Sequence, residues 1–215
     1  MALATFWVET FGCQMNKSRS EHLAYLLGEE GFSLAQRIDE ADILVFNTCA
    51  VREHAAERAI NVISKVARER KEKNPHSIVV VCGCLGQLEK EKLLEKGKEI
   101  DVLAGTHNWE EIPLLIKKAW QERVKIADFK EEPPLLYQER GYWHSSFISA
   151  YLPITFGCNN FCSYCVVPYT TGRERSKPLE IIKEELMSLV EKGFREVTLL
   201  GQNVNSYGRD RGRER

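Results

Sequence analysis

The sequence predicts an α/β protein: a parallel-sheet domain over residues 4–127, a linker over 128–146, and the opening βα pattern of a second unit over 147–215. Two observations carry this. Short apolar runs alternate strictly with longer amphipathic ones through the first 127 residues, as expected for parallel strands joined by helices that cover both faces of the sheet. The stretch "DFKEEPPLLYQERGYWHSS" (128–146) then breaks the rhythm with a Pro pair, mixed charge and no sustained period.

Taken in order, "TFWVE" (5–9), "DILVFN" (42–47), "SIVVVC" (77–82), "IDVLAG" (100–105) and "RVKIA" (123–127) read as strands. Helices are expected between them at about 16–30, 52–73, 87–97 and 108–122, the first opened by Ser18 and Glu21 at capping-box spacing. In the second unit "ISAYLPITF" (148–156) and "EVTLLG" (196–201) read as strands around a helix at 178–192. The chain shows no internal repeat.

Thirty basic residues stand against thirty-one acidic ones, a net charge of -1, so no overall basic field gathers nucleic acid and any RNA contact is local or supplied elsewhere. The start "MALATFWVETFGC" has no charged leader followed by an apolar core, and no apolar run approaches the ~20 residues that span a bilayer. The expectation is a cytoplasmic monomer with no membrane partner. Seven cysteines in a reducing compartment favour metal ligation over disulfides wherever thiols cluster. Cys82, inside "IVVVC", reads instead as a small buried hydrophobe.

The other six form two sets. Cys13, Cys49 and Cys84 follow the first three predicted long strands at spacings of 36 and 35 residues, about one βα unit each. Loops at the carboxyl ends of neighbouring parallel strands open into one crevice, so the three thiols are expected on one sheet edge. Joint metal ligation and three unrelated buried thiols both satisfy that placement. The second set is local: Cys158, Cys162 and Cys165 form C-x3-C-x2-C in a loop directly after an apolar strand. Three thiolates in one loop hold three irons of a cubane cluster and leave the fourth iron open for a small molecule. Structural zinc is the alternative, with His144 as its fourth ligand, although that residue precedes the strand.

"CNNFCSYC" resembles the signature of radical S-adenosylmethionine enzymes. The ordered motifs "TFGCQMN", "NTCAVRE", "GC" at 83–84, "CNNFCSYCVVPYTTGRERS" and "LLGQNVNSYG" resemble the methylthiotransferases, most closely the MiaB type, from about Thr5 to Gly208. This resemblance implies a methylthiotransferase domain followed by the first part of a radical (β/α)6 partial barrel. It implies two 4Fe-4S clusters, an auxiliary one on Cys13, Cys49 and Cys84 and a radical-generating one on Cys158, Cys162 and Cys165. It further implies S-adenosylmethionine as cofactor with Tyr164 near its adenine, a tRNA anticodon stem-loop as substrate, and an electron donor such as a flavodoxin or ferredoxin. The implied reaction places a methylthio group at C2 of N6-isopentenyladenosine. Cousins with the same layout act on threonylcarbamoyladenosine or on a ribosomal protein, and "GCQMN" with "NTCAVRE" favours the MiaB type.

Thr171 stands where the resemblance leads one to expect arginine, and the run Arg173, Arg175, Lys177 is expected to be a solvated face rather than a phosphate site. About 30 residues make one βα unit, so only about one and a half units fit between Ile148 and Gly201, against six in radical enzymes of this kind. The chain is therefore expected to be the N-terminal portion of such an enzyme, with 1–127 folding alone and 148–215 poorly soluble. The rival classes are a non-catalytic iron-sulfur module, one half of a split enzyme, and a zinc-bearing RNA-binding module; the near-neutral charge disfavours the last.

Overall fold

The computed structural model describes residues 3–50, 53–132 and 141–211. Six strands, β1 (Thr5–Thr10), β2 (Ser33–Leu34), β3 (Ile43–Thr48), β4 (Ile78–Gly83), β5 (Val102–Ala104) and β6 (Ile126–Asp128), form one sheet in the order β2-β1-β3-β4-β5-β6. All its pairings are parallel. β3 and β4 are buried at every position because "ILVFNT" and "IVVVCG" run apolar along nearly their whole length, which a central strand covered on both faces requires.

Alternation along each strand sends its side chains to two layers. Ile43, Val45 and Val80 pack under α1 (Gln14–Glu29) and α5 (Ile112–Glu122), where Leu23, Leu27, Ile112 and Ile116 meet them. On the other face Leu44, Phe46, Val79 and Val81 meet α2 (Glu53–Lys73), α3 (Cys84–Leu88) and α4 (Lys90–Lys96) through Ile63, Ala67, Leu85 and Leu93. Each fully buried side chain of this size contributes about 1.5–3 kcal/mol relative to exposure.

Local details depart from the sequence expectation in three places. α1 begins at Gln14 with Cys13 in extended backbone at its N-cap, so Ser18 sits inside the helix, fully buried, and caps nothing. The helix expected over 87–97 is two short ones that meet at Glu89. α5 starts at Ile112 rather than 108, because Gly105 and Asn108 first make a turn.

In the second unit β7 (Ser149–Pro153) pairs in parallel with β10 (Glu196–Leu200) across α7 (Leu179–Glu191), as its βα pattern requires. The run expected as one strand over 148–156 bends after Pro153 into β8 (Thr155–Phe156), which pairs antiparallel with β9 (Arg175–Ser176). α6 (Val167–Thr170) lies between them in sequence. No barrel closes among the described residues.

The two units pack on α1. Met15 joins Phe156 and Leu200 in one apolar cluster. The stretch 141–146 is fastened to the same helix: Trp143 N–H donates to the Glu21 carbonyl at 2.9 Å, and Ser145 donates to Glu21 Oε1 from its amide at 3.0 Å and its hydroxyl at 2.6 Å. Burial pushes the Glu21 carboxyl up, but His144 and the Ser145 donors outweigh it and hold the group below its ordinary range. His144 is thus engaged with Glu21, 3.7 Å away, and with the rings of Tyr142 and Phe194. Among the described residues no helix is long and apolar enough to cross a membrane.

Candidate metal centre

The strand order reverses between β1 and β3, and a crevice opens at the carboxyl ends of strands flanking such a reversal. Cys13 follows β1, Cys49 follows β3, and Cys84 is the first residue of α3 after β4. All three line one narrow cavity together with Asn16, Arg19, Gly83 and Trp109. The βα spacing therefore does bring the three distant cysteines together.

Close approach of their loops depends on two glycines. At Gly12, φ is +116° and a Cβ would lie 2.5 Å from the Cys49 Cβ. At Gly83, φ is +93° and a Cβ would lie 2.5 Å from the Thr48 carbonyl oxygen. Any side chain at either position pushes one cysteine-bearing segment away from the next.

Polar side chains then lace the segments. Asn16 Nδ2 donates to the carbonyls of Phe11 (2.8 Å) and Thr48 (3.1 Å), and Asn47 Nδ2 donates to the Asn16 carbonyl (2.8 Å) and Ser20 Oγ (2.9 Å). Thr48 Oγ1 donates to the Cys82 carbonyl at 2.6 Å. Sequence reasoning singled out the cysteines and missed this lattice. Its signal was present, since "NTC" puts two polar residues at the end of an otherwise apolar central strand, where each must find a partner.

The Cys84 thiol is pushed up to about 11, first by burial and then by the neighbouring Cys49 thiol, against a hydrogen bond with Thr170 and the charge of Arg19. Cys13 is exposed while Cys49 and Cys84 are half-buried; thiolates brought this close together need a cation or metal to offset their charge, and metal binding releases the protons. Three cysteines lining one cavity are a donor set of the kind a cluster takes. Cys82 lies within β4, fully buried, with its thiol also pushed up by burial, and behaves as the small core residue expected.

The opposite wall comes from the second unit: Phe156, Val167, Thr171 and Gln202. Thr106 Oγ1 donates across to the Thr170 carbonyl. Just outside, buried His107 is pushed down to about 4 by burial, helped by Arg175 and Arg19.

Cys158, Cys162 and Cys165 lie together on the loop between β8 and α6. Cys158 is buried, Cys162 exposed and Cys165 half-buried. Cys158 N–H donates to the Gly172 carbonyl (3.2 Å), Cys165 N–H to the Cys162 carbonyl (2.9 Å), and Glu174 N–H to Asn159 Oδ1 (3.1 Å). The loop is thereby pinned to the 172–174 segment. Tyr164, on the same loop, is 87% exposed. The basic run beside it is not a solvated face: Arg173 is exposed over the Phe161 ring, but Arg175 donates to the Thr171 carbonyl (3.0 Å) and buried Lys177 pairs with Glu185 (2.7 Å). These side chains clasp their own unit.

Among the described residues no three His, Cys, Asp or Glu side chains are placed to share a single metal ion. A cubane takes thiolates at separate corners and so suits a wider set.

Residues 5–105 match the family described as "Uncharacterized protein family UPF0004", and residues 152–214 match the Radical SAM superfamily. The first match contains Cys13, Cys49 and Cys84, the second Cys158, Cys162 and Cys165. The chain is 44% identical over 207 residues to a tRNA-2-methylthio-N(6)-dimethylallyladenosine synthase of Thermoanaerobacter sp. (strain X514), covering 95% of this chain and 44% of the relative. Proteins of the same name from Syntrophomonas wolfei subsp. wolfei (44% over 203 residues; 94% and 45% covered) and Clostridium tetani (41% over 208 residues; 96% and 46%) align likewise. The chain spans less than half the length of these curated relatives. The Radical SAM superfamily uses a 4Fe-4S cluster and S-adenosylmethionine, and a loop that offers three thiols and no fourth fits that cluster.

Proposed function

We infer, for a chain that belongs to the MiaB-type radical S-adenosylmethionine methylthiotransferases, that it carries the cluster-binding machinery for adding a methylthio group at C2 of N6-isopentenyladenosine beside the tRNA anticodon. One observation supports this most: the three cysteines of the first unit meet in a cavity whose far wall is built by residues flanking the three-cysteine loop of the second. Two sets of three thiols, one lining the cavity and one on the loop beside its far wall, match a reaction that needs both a radical source and a held sulfur.

In this reading residues 4–127 are the auxiliary-cluster domain, with Cys13, Cys49 and Cys84 as ligands, and 128–146 connect it to the radical unit at 147–215. Cys158, Cys162 and Cys165 hold the radical-generating cluster, and Tyr164 lies against the adenine of S-adenosylmethionine. When bound, cluster and S-adenosylmethionine together supply reductive cleavage of a sulfonium, which gives access to a C–H bond that no protein acid, base or nucleophile activates. The chain's own residues do the rest. Gly12 and Gly83 let the auxiliary ligands approach, Asn16, Asn47 and Thr48 fix their spacing, and Phe156 and Trp109 keep the cavity wall apolar and exclude water. The setting is cytoplasmic, the chain a monomer, and the electron donor a flavodoxin or ferredoxin.

The test is an anaerobic incubation of reconstituted protein with reductant, S-adenosylmethionine and an anticodon stem-loop bearing N6-isopentenyladenosine. Mass analysis is expected to find the 2-methylthio nucleoside together with 5'-deoxyadenosine. Product on a threonylcarbamoyladenosine stem-loop instead would reassign the substrate, and absence of both products with both clusters loaded would contradict the assignment.

A further inference from the structure

We propose that Arg19 is the fixed counter-charge of the three-cysteine cavity, a positioning residue that sets the reduction potential of the cluster assigned there; the inference rests on that assignment. Arg19 lies on α1 and is 6% exposed. An arginine is almost never buried so completely without a compensating arrangement. Here two aromatic faces hold it, with the guanidinium carbon 5.3 Å from the Trp109 ring centroid and 5.1 Å from that of Phe156.

The two rings come from different units. Trp109 follows β5 of the first sheet, and Phe156 ends β8, two residues before Cys158. Trp109, Phe156, Arg19 and the three cysteines of the first set line the same cavity, and Arg19 is the one charged residue among the described residues that do. A cluster on three thiolates gains negative charge on reduction, and a nearby cation in a low-dielectric cavity stabilises the reduced form more than the oxidised one. Arg19 therefore raises the potential. A role as mere glue between the units would not be rescued by a cation supplied from the opposite wall.

The experiment uses the full chain with Cys158→Ala, Cys162→Ala and Cys165→Ala, so that only the first site is loaded, and follows reduction of its cluster spectroscopically. Arg19→Met is compared with Arg19→Lys and with Arg19→Met plus Thr171→Arg, which offers a cation from the opposite wall of the cavity. Arg19→Met is expected to lower the reduction equilibrium at least tenfold, which is about 59 mV for a one-electron couple. Both Arg19→Lys and the relocated arginine are expected to restore most of it. Loss of iron in Arg19→Met that either cation recovers supports the proposal equally. A loaded Arg19→Met cluster within about twofold of the parent equilibrium overturns it, as does iron loss that neither cation recovers. A parent background that binds no iron and no sulfide overturns the underlying assignment, and this inference with it.

Discussion

Asn47 in β3 donates through Nδ2 to the carbonyl of Asn16 in α1, 2.8 Å away, and so ties the strand leading to Cys49 to the helix capped by Cys13. Asn47 is fully buried, and its second Nδ2 hydrogen bond goes to Ser20 Oγ. Asn47→Leu removes both of these buried hydrogen bonds, at about 1 kcal/mol each. Denaturant titration is expected to show that loss, with a parallel fall in bound iron after reconstitution. Unchanged stability and iron would remove Asn47 from the scaffold.

Gly83→Ala forces a Cβ against the Thr48 carbonyl at a φ of +93°. Strain of this kind costs on the order of 1–3 kcal/mol, and relief by separating the strands moves Cys84 away from Cys49. A thermal scan is expected to show a midpoint lower by roughly 5 °C. The variant is also expected to reconstitute less iron at the first site. A midpoint within a degree of the parent would show that the loops do not approach this closely.

His107 titrates near 4 in the folded chain, because of burial first and the charges of Arg175 and Arg19 second. Unfolded it titrates near 6.5, so between about pH 6.5 and 4 the unfolded chain binds a proton that the folded chain excludes. Stability is therefore expected to fall as the pH drops through that window and to be level, as far as this group is concerned, above it. His107→Gln is expected to flatten the dependence. Parallel curves of unfolding free energy against pH for the two proteins would contradict the assignment.

Lys177 and Glu185 form an ion pair at 2.7 Å with side-chain exposures of 1% and 16%. Removing one partner leaves the other desolvated without its counter-charge, whereas replacing both by apolar residues of similar size is close to neutral. Lys177→Met is expected to destabilise the chain by about 3 kcal/mol. Adding Glu185→Leu is expected to recover more than half of that. Equal loss in single and double variants would assign the cost to packing rather than charge.

The sequence made the convergence of Cys13, Cys49 and Cys84 legible because parallel strands joined by helices leave every βα loop at one sheet edge, and the spacing counts those loops. The long apolar runs of β3 and β4 were legible for the same reason, since both their faces are buried. β2, two residues long, offered no period to read. The capping box at Ser18 misled because a local pattern carries no information about where Gly12 turns the chain, and that turn starts α1 at Gln14, before the pattern. Arg19 was illegible as a cavity residue, because only the packing of Trp109 and Phe156 from separate units reveals what surrounds it. Lys177 read as solvated because charge runs usually are, and its partner Glu185 lies eight residues away on α7.

The claim on which the rest stands is that each set of three cysteines holds one four-iron cluster. Iron and acid-labile sulfide per chain after anaerobic reconstitution test it directly, on the parent and on two triple variants, Cys13, Cys49, Cys84→Ala and Cys158, Cys162, Cys165→Ala. The account predicts about eight of each atom in the parent and about four in either variant. About one zinc per chain with no sulfide, or an iron content that neither triple variant lowers, would contradict it.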